Sequence, residues 1–180
     1  MQMDTPRLRL RHFTPADVEA FVAYRSDPEV ARYQDWEFPL PLESARRLVR
    51  AYSRSDPGAP GWFPYAIEVK ADGCVVGDVA VHRRRSGEEA ELGFSLARDR
   101  QGQGYATEAV RGVLGTLFAG GLRTAAAECD VRNERSVRLL ERIGFTCTGQ
   151  RTVFARAGRE RIGMLVFALP AERWKASGGQ

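Results

Sequence analysis

The residues best suited to chemistry stand in one run, Arg98-Asp-Arg-Gln-Gly-Gln-Gly-Tyr-Ala-Thr-Glu-Ala109, where a strand pattern ends and a long helical pattern begins. A helix N-terminus leaves several N–H groups unpaired and carries the positive end of the helix dipole, and glycines let the backbone approach an anion closely. This run therefore predicts a phosphate cradle. It is not a Walker A loop, because no Gly-Lys-Ser/Thr follows, and Gly102-x-Gly104 lacks the third glycine of a dinucleotide fingerprint. Taken alone, the two glycines would equally serve a tight strand-to-helix turn.

The cysteines offer less. Cys74, Cys129 and Cys147 are widely spaced, form no Cys-x-x-Cys pair and have no His at ligand spacing, so they are expected to be reduced core thiols with no metal site. Cys129 and Cys147 lie in apolar strand contexts without an adjacent His, which argues against a thiolate nucleophile.

Several elements must frame these residues. Leu8 and Leu10 alternate with arginines, as in a half-buried strand, and Thr14-Pro15-Ala16-Asp17 begins a helix carrying Val18, Phe21 and Val22. Ala45, Leu48, Val49 and Tyr52 mark a second helix, after an irregular loop through Tyr33-Gln34-Asp35-Trp36. Strand patterns at 65–69 and 74–81 flank Asp72-Gly73, a hairpin signal. Another strand at 90–96 leads into the glycine run, and period two puts Glu91, Gly93 and Ser95 on one of its faces. The helix that follows has the apolar stripe Ala106, Ala109, Val110, Val113, Leu114, Leu117 and Phe118, and stops at Gly120-Gly121. A strand at 124–129, a helix from Asn133 to Ile143, and strands near 146–154 and 162–169 turning at Gly158 complete the order.

Two motifs resemble the GNAT superfamily of acetyltransferases. Gln101-Gly-Gln-Gly104-Tyr-Ala106 is similar to its Gln/Arg-x-x-Gly-x-Gly/Ala signature, and Asn133-Glu-Arg-Ser136, running on to Gly144-Phe145, to its second motif. Thr5-Pro-Arg-Leu-Arg-Leu10 and Ser26-Asp-Pro-Glu-Val30 resemble the Rim-type ribosomal-protein N-acetyltransferase branch. The likeness implies one α/β (α+β) domain over 5–170, with a mixed, mostly antiparallel central sheet splayed in the middle and flanked by helices. Residues 171–180 are expected to form a disordered tail.

The resemblance further implies acetyl-CoA as cofactor and a primary amine as acceptor, with direct transfer in a ternary complex. Phe94, Ser95 and Leu96 would pair with the pantetheine arm. The amides of Gln101, Gly102, Gln103, Gly104, Tyr105, Ala106 and Thr107 would hold the pyrophosphate, with Arg98 and Arg100 as charge partners. Asn133 and Ser136 would face the thioester end, with capping of a helix as the alternative use of each. An amine that is mostly ammonium at neutral pH must lose a proton before it attacks. Glu91 is the candidate base, with Asp130 and His82 as weaker alternatives and a solvated or arginine-paired glutamate as the bland one. Many members place a tyrosine where this chain has Leu140, so Ser136 is the remaining candidate to assist the leaving thiolate. Tyr33, Gln34, Asp35 and Trp36, with Glu37 and Phe38, would wall the acceptor side, unless the aromatics only pin their loop to the core.

Composition sets the outer bounds. The chain has 180 residues, 43% of them hydrophobic, and a net charge of +4, a mild excess that favours an anionic ligand. No apolar run reaches the roughly 18 residues of a membrane span and no leader pattern follows Met1, so a soluble cytoplasmic protein is expected, with homodimerisation left open. Arg83-Arg84-Arg85 read as a solvated hairpin tip, with no nucleic-acid motif beside them. The competing reading from another class is a CoA-binding sensor or scaffold that has lost its chemistry.

Overall fold

In the computed structural model, which describes residues 2–154 and 161–178, a two-residue strand, β1 (Met3–Asp4), pairs antiparallel with β2 (Leu8–Arg11). Leu8 and Leu10 are fully buried while Arg9 and Arg11 reach the surface, as their alternation requires. Thr14 and Asp17 form a reciprocal capping box around a single 3-10 turn, Pro15–Asp17, which feeds α1 (Val18–Arg25). The Asp27 side chain caps the short α2 (Pro28–Ala31), and an irregular segment then leads to α3 (Leu42–Tyr52).

The hairpin at Asp72-Gly73 joins β3 (Gly61–Val69) to β4 (Val75–Arg83), and a second turn leads to β5 (Glu89–Leu96). After the glycine loop come α4 (Tyr105–Ala119), β6 (Thr124–Asp130), α5 (Glu134–Ile143), β7 (Thr146–Phe154), β8 (Arg161–Pro170) and α6 (Ala171–Ala176). The turn anticipated at Gly158 lies outside the described residues.

The eight strands form one sheet in the order β1-β2-β3-β4-β5-β6-β8-β7. Every pairing is antiparallel except β5 with β6, and that parallel ladder covers only 89–92 against 124–127. Beyond it the strands separate: β5 continues on β4, and β6 on β8. The sheet is thus mixed, mostly antiparallel and splayed in the middle, as expected.

Buried side chains hold both faces. On one, Val110, Val113, Leu114 and Leu117 of α4 and Leu140 and Ile143 of α5 pack with Val79, Val81 and Leu92. On the other, Phe21 and Tyr24 of α1, Val49 of α3 and Ala66 of β3 form a smaller cluster around Phe13. At about 25 cal/mol per Å² of apolar surface removed from water, these faces supply the main stabilisation.

Two expectations are corrected. Residues 171–176 are helical rather than disordered, because Trp174 finds a place at 3% exposure and stacks on Phe118 with ring centroids 5.6 Å apart. Only Cys129 is a core thiol: Cys74 is exposed beside the β3–β4 turn, and Cys147 is exposed on the edge strand β7. Among the described residues no helix is long and apolar enough to cross a membrane.

Candidate functional site

Where β5 and β6 part, β5 is left with a free edge from Gly93 onward. Ala97 donates its N–H to Val76 O at 2.7 Å on the β4 side. Backbone groups alternate between the two edges of a strand, so Phe94 and Leu96 turn theirs to the open side. Phe94 is half-buried, while Ser95 and Leu96 are buried. β4 lies unusually close here, since a Cβ on Gly77 would come within 2.1 Å of Ser95 O. An extended polyamide arm could add to this edge as a strand does.

The glycine loop follows, after a 3-10 turn at Arg98–Arg100. Gly102 (φ +76°) and Gly104 (φ +82°) occupy the left-handed region that side chains other than glycine rarely adopt, and Gly104 is the N-cap of α4. It provides no side chain to cap the helix, so the amides of Tyr105, Ala106 and Thr107 are left as free donors. Gly102 and Gln103 are exposed, and the Gln103 side chain donates from Nε2 to Asp99 O at 3.1 Å. The Gln101 side chain braces the site, donating to Leu96 O at 3.0 Å and accepting from Arg135 Nη1 at 2.9 Å. Arg100 turns to Asp72, 2.9 Å away, rather than towards the loop. Arg98 is exposed and helps line a recess of about 500 Å³ with Tyr24, Asp27 and Ala97.

The sequence reading missed how the loop is held from behind. Arg7 donates to Gln103 O at 2.9 Å and to Glu108 Oε2 at 2.6 Å, and its guanidinium lies 4.6 Å from the Tyr105 ring centroid. Thr5 Oγ1 donates to the other Glu108 oxygen at 2.6 Å. Burial pushes the Glu108 carboxyl up, but hydrogen bonds from Thr5 and Arg7 outweigh this and hold it below its ordinary range. Thr5, Arg7 and Glu108 all stood in the motifs, yet a contact across a hundred residues has no local signature.

On the face shared with α1, three carboxylates surround the parting strands. Asp78 is buried and bonded to Arg25 at 2.9 Å, and Glu128 is paired with Arg151. Glu91, half-buried, has no hydrogen-bond or ion-pair partner among the described residues. It lies directly across from His82, whose ring packs at a tilt of 47° against Trp62 with centroids 5.0 Å apart. The charge of Glu91 contributes to raising the Arg151 pKa, after the Glu128 hydrogen bond and charge, which places it within electrostatic reach of that arginine. Asp130 is buried against Arg132, which holds its carboxyl below the ordinary range.

The second motif behaves partly as a cap. Asn133 Oδ1 accepts from Ser136 N at 3.2 Å, which spends the oxygen of Asn133 and leaves its amide nitrogen unused by the cap. Ser136 is half-buried in the first turn of α5, and Leu140 is buried in the core. Burial, with Asp130 and Cys147 nearby, pushes the Cys129 thiol up to about 11, so it is not a thiolate at neutral pH.

In the acceptor-side loop, Gln34, Asp35, Glu37 and Phe38 are exposed and Tyr33 and Trp36 half-buried. Trp36 is pinned, as the bland reading had it: its Nε1 donates to Arg25 O at 3.1 Å and its ring covers the Arg25 guanidinium. Tyr33 reaches the other way, to 6.0 Å from the Arg132 guanidinium in the turn after β6.

Comparison with known proteins adds the following. Residues 7–146 match the acetyltransferase (GNAT) domain. The chain is 28% identical over 168 residues to the uncharacterized N-acetyltransferase p20 of Bacillus licheniformis, covering 92% of this chain and 93% of that one. A GNAT-family acetyltransferase structure from Bacillus anthracis superposes with a TM-score of 0.85 at 25% identity, over 96% of this chain and 99% of that one. RimL, a ribosomal L7/L12 α-N-protein acetyltransferase, shares the fold with a TM-score of 0.74 at 18% identity, over 94% of each chain.

Proposed function

Because the chain belongs to the GNAT acetyltransferase family, whose members depend on acetyl-CoA, we propose that it moves an acetyl group from acetyl-CoA to a primary amine by direct transfer in one cleft. The acceptor is the N-terminal α-amine of a protein or a small-molecule amine, and the likeness to RimL supports testing the first of these. The observation that carries the proposal is the uncommitted Glu91 at the point where β5 leaves β6.

The donor supplies a thioester; the chain binds, orients and handles protons. The open edge at Phe94 and the Leu96 N–H takes the pantetheine arm, the Leu96 carbonyl being held by Gln101, and the donors of Gln101 to Thr107 take the pyrophosphate. Glu91 removes a proton from the ammonium, directly or through water, so that the neutral nitrogen can attack. With Leu140 buried and without a proton to give, Ser136 provides a hydrogen bond towards the departing sulfur. Tyr33, Gln34 and Asp35 line the acceptor side; Trp36 positions them.

The test is release of CoA thiol with three acceptors: a hexapeptide beginning with Ser, kanamycin and spermidine. Acetyl-CoA affinity is measured in parallel. Release with one acceptor class supports the proposal and names the class. The buried Leu140 is the one feature favouring a sensor module, and tight binding of acetyl-CoA with no release from any amine would point to it.

A further inference from the structure

Arg25 holds an unusual position for a buried cation. Its side chain is 13% exposed and donates to Asp78 at 2.9 Å, with Asp78 itself at 3%. The guanidinium is sandwiched between Phe21, 4.5 Å from the ring centroid, and Trp36 at 4.3 Å. The Arg25 carbonyl accepts from Trp36 Nε1 at 3.1 Å, so one residue grips the indole by face and by edge. Its Nε is buried with no hydrogen-bond partner among the described residues. Replacing a buried, incompletely satisfied ion pair by apolar residues often leaves stability unchanged or improves it, so stability alone does not account for this cluster.

The cluster's place in the fold does account for it. Asp78 lies opposite Ser95 on β5, beside the free edge, so Arg25 connects that arm of the opening to the loop. Four residues further along the loop, Leu40 N–H bonds to Ser26 Oγ at 3.1 Å, fixing its far end to the same helix exit. Tyr33 lies further along the loop, its ring 5.4 Å from the guanidinium of Arg32 and 6.0 Å from that of Arg132 on the other arm; Asp130 orients Arg132 through hydrogen bonds of 2.7 and 2.9 Å. The loop therefore spans the opening from β4 to the turn after β6.

We infer that Arg25 is a positioning residue that sets acceptor recognition, by anchoring the loop at Trp36 so that Tyr33 stands across the cleft against Arg132. This rests on the proposed role of the loop as the acceptor wall. A guanidinium is flat enough to lie between two rings while donating in its own plane, which a lysine ammonium is not.

The experiment compares wild type, Arg25→Lys, Arg25→Met and Tyr33→Ala. It combines hydrogen exchange of residues 32–38, acetyl-CoA affinity, thermal unfolding, and steady-state release with the Ser hexapeptide, kanamycin and spermidine. In folded Arg25→Lys and Arg25→Met, loop exchange is expected to rise about tenfold and acceptor KM about tenfold, with kcat and acetyl-CoA affinity within about twofold. Tyr33→Ala raises acceptor KM while the loop stays protected. Unchanged loop exchange in folded Arg25→Lys overturns the inference, as does a parallel fall of kcat, both affinities and stability. If Arg25→Lys frees the loop and Tyr33→Ala leaves acceptor KM unchanged, the claim on recognition is lost. Absence of turnover with every amine removes the transfer reading itself, a separate result because loop exchange needs no acceptor.

Discussion

Glu91, Asp78 and Asp17 are all carboxylates, and their surroundings give them different work. Asp78 and Asp17 face arginines at 2.9 and 2.7 Å, whereas Glu91 faces His82 across the strand pair with no cation bonded to it among the described residues. Burial pushes the Asp17 carboxyl up, but Arg11 and the Thr14 N–H bind its charged form and bring it below the ordinary value. A depressed folded-state pKa adds stability that is present above the unfolded value, near 3.8, and is lost as pH falls through the folded one. Urea midpoints of wild type and Asp17→Asn should therefore differ fully at pH 7 and converge in acid. A gap that persists unchanged to pH 2 would show that the Arg11 pair is not its source. The candidacy of Glu91 came from its type and its place on a strand. Its freedom from partners was not legible there, because that depended on which acids the arginines of distant segments would claim.

At the scale of elements, the local signals carried furthest. The capping box at Thr14, the Asp72-Gly73 turn and the glycine run before α4 each depend on neighbours in sequence, and each stands where the pattern put it. The tail failed because Trp174 is covered by residues far back in the chain, Phe118 and Arg111 of α4, and a helix of six residues has no pattern of its own. The Arg7–Glu108 brace was hidden for the same reason. Gly104 is where element and ligand meet: a side chain there would hold a left-handed residue, at a cost of about 1–2 kcal/mol, with its Cβ 3.2 Å from Arg7. Gly104→Ala should weaken acetyl-CoA binding by about tenfold or more, judged by the strain cost carried onto the cradle amides. Calorimetric titration checks this, and wild-type affinity in the variant would mean that the loop turns the chain without holding phosphate.

The whole molecule is organised by one interruption. Four residue pairs of parallel ladder join β5 to β6, and everything beyond them on either side forms the walls of a cleft. The glycine loop lies at the end of one wall and Asn133 at the start of the helix that leaves the other, with the loop from Tyr33 to Trp36 reaching across. The mixed sheet and its parting were legible through resemblance, since no period in the sequence marks where a ladder stops. The Arg25–Asp78 pair and the approach of Tyr33 to Arg132 were not, because they join residues 53 and about a hundred positions apart. The most direct test of the central claim measures thiol release and acetyl-CoA affinity side by side in wild type and Glu91→Gln, using the best acceptor of the panel. Loss of a general base predicts a fall in turnover of about 10²- to 10⁴-fold with acetyl-CoA affinity unchanged. Turnover by Glu91→Gln at the wild-type rate would contradict the account and move the proton transfer to another group.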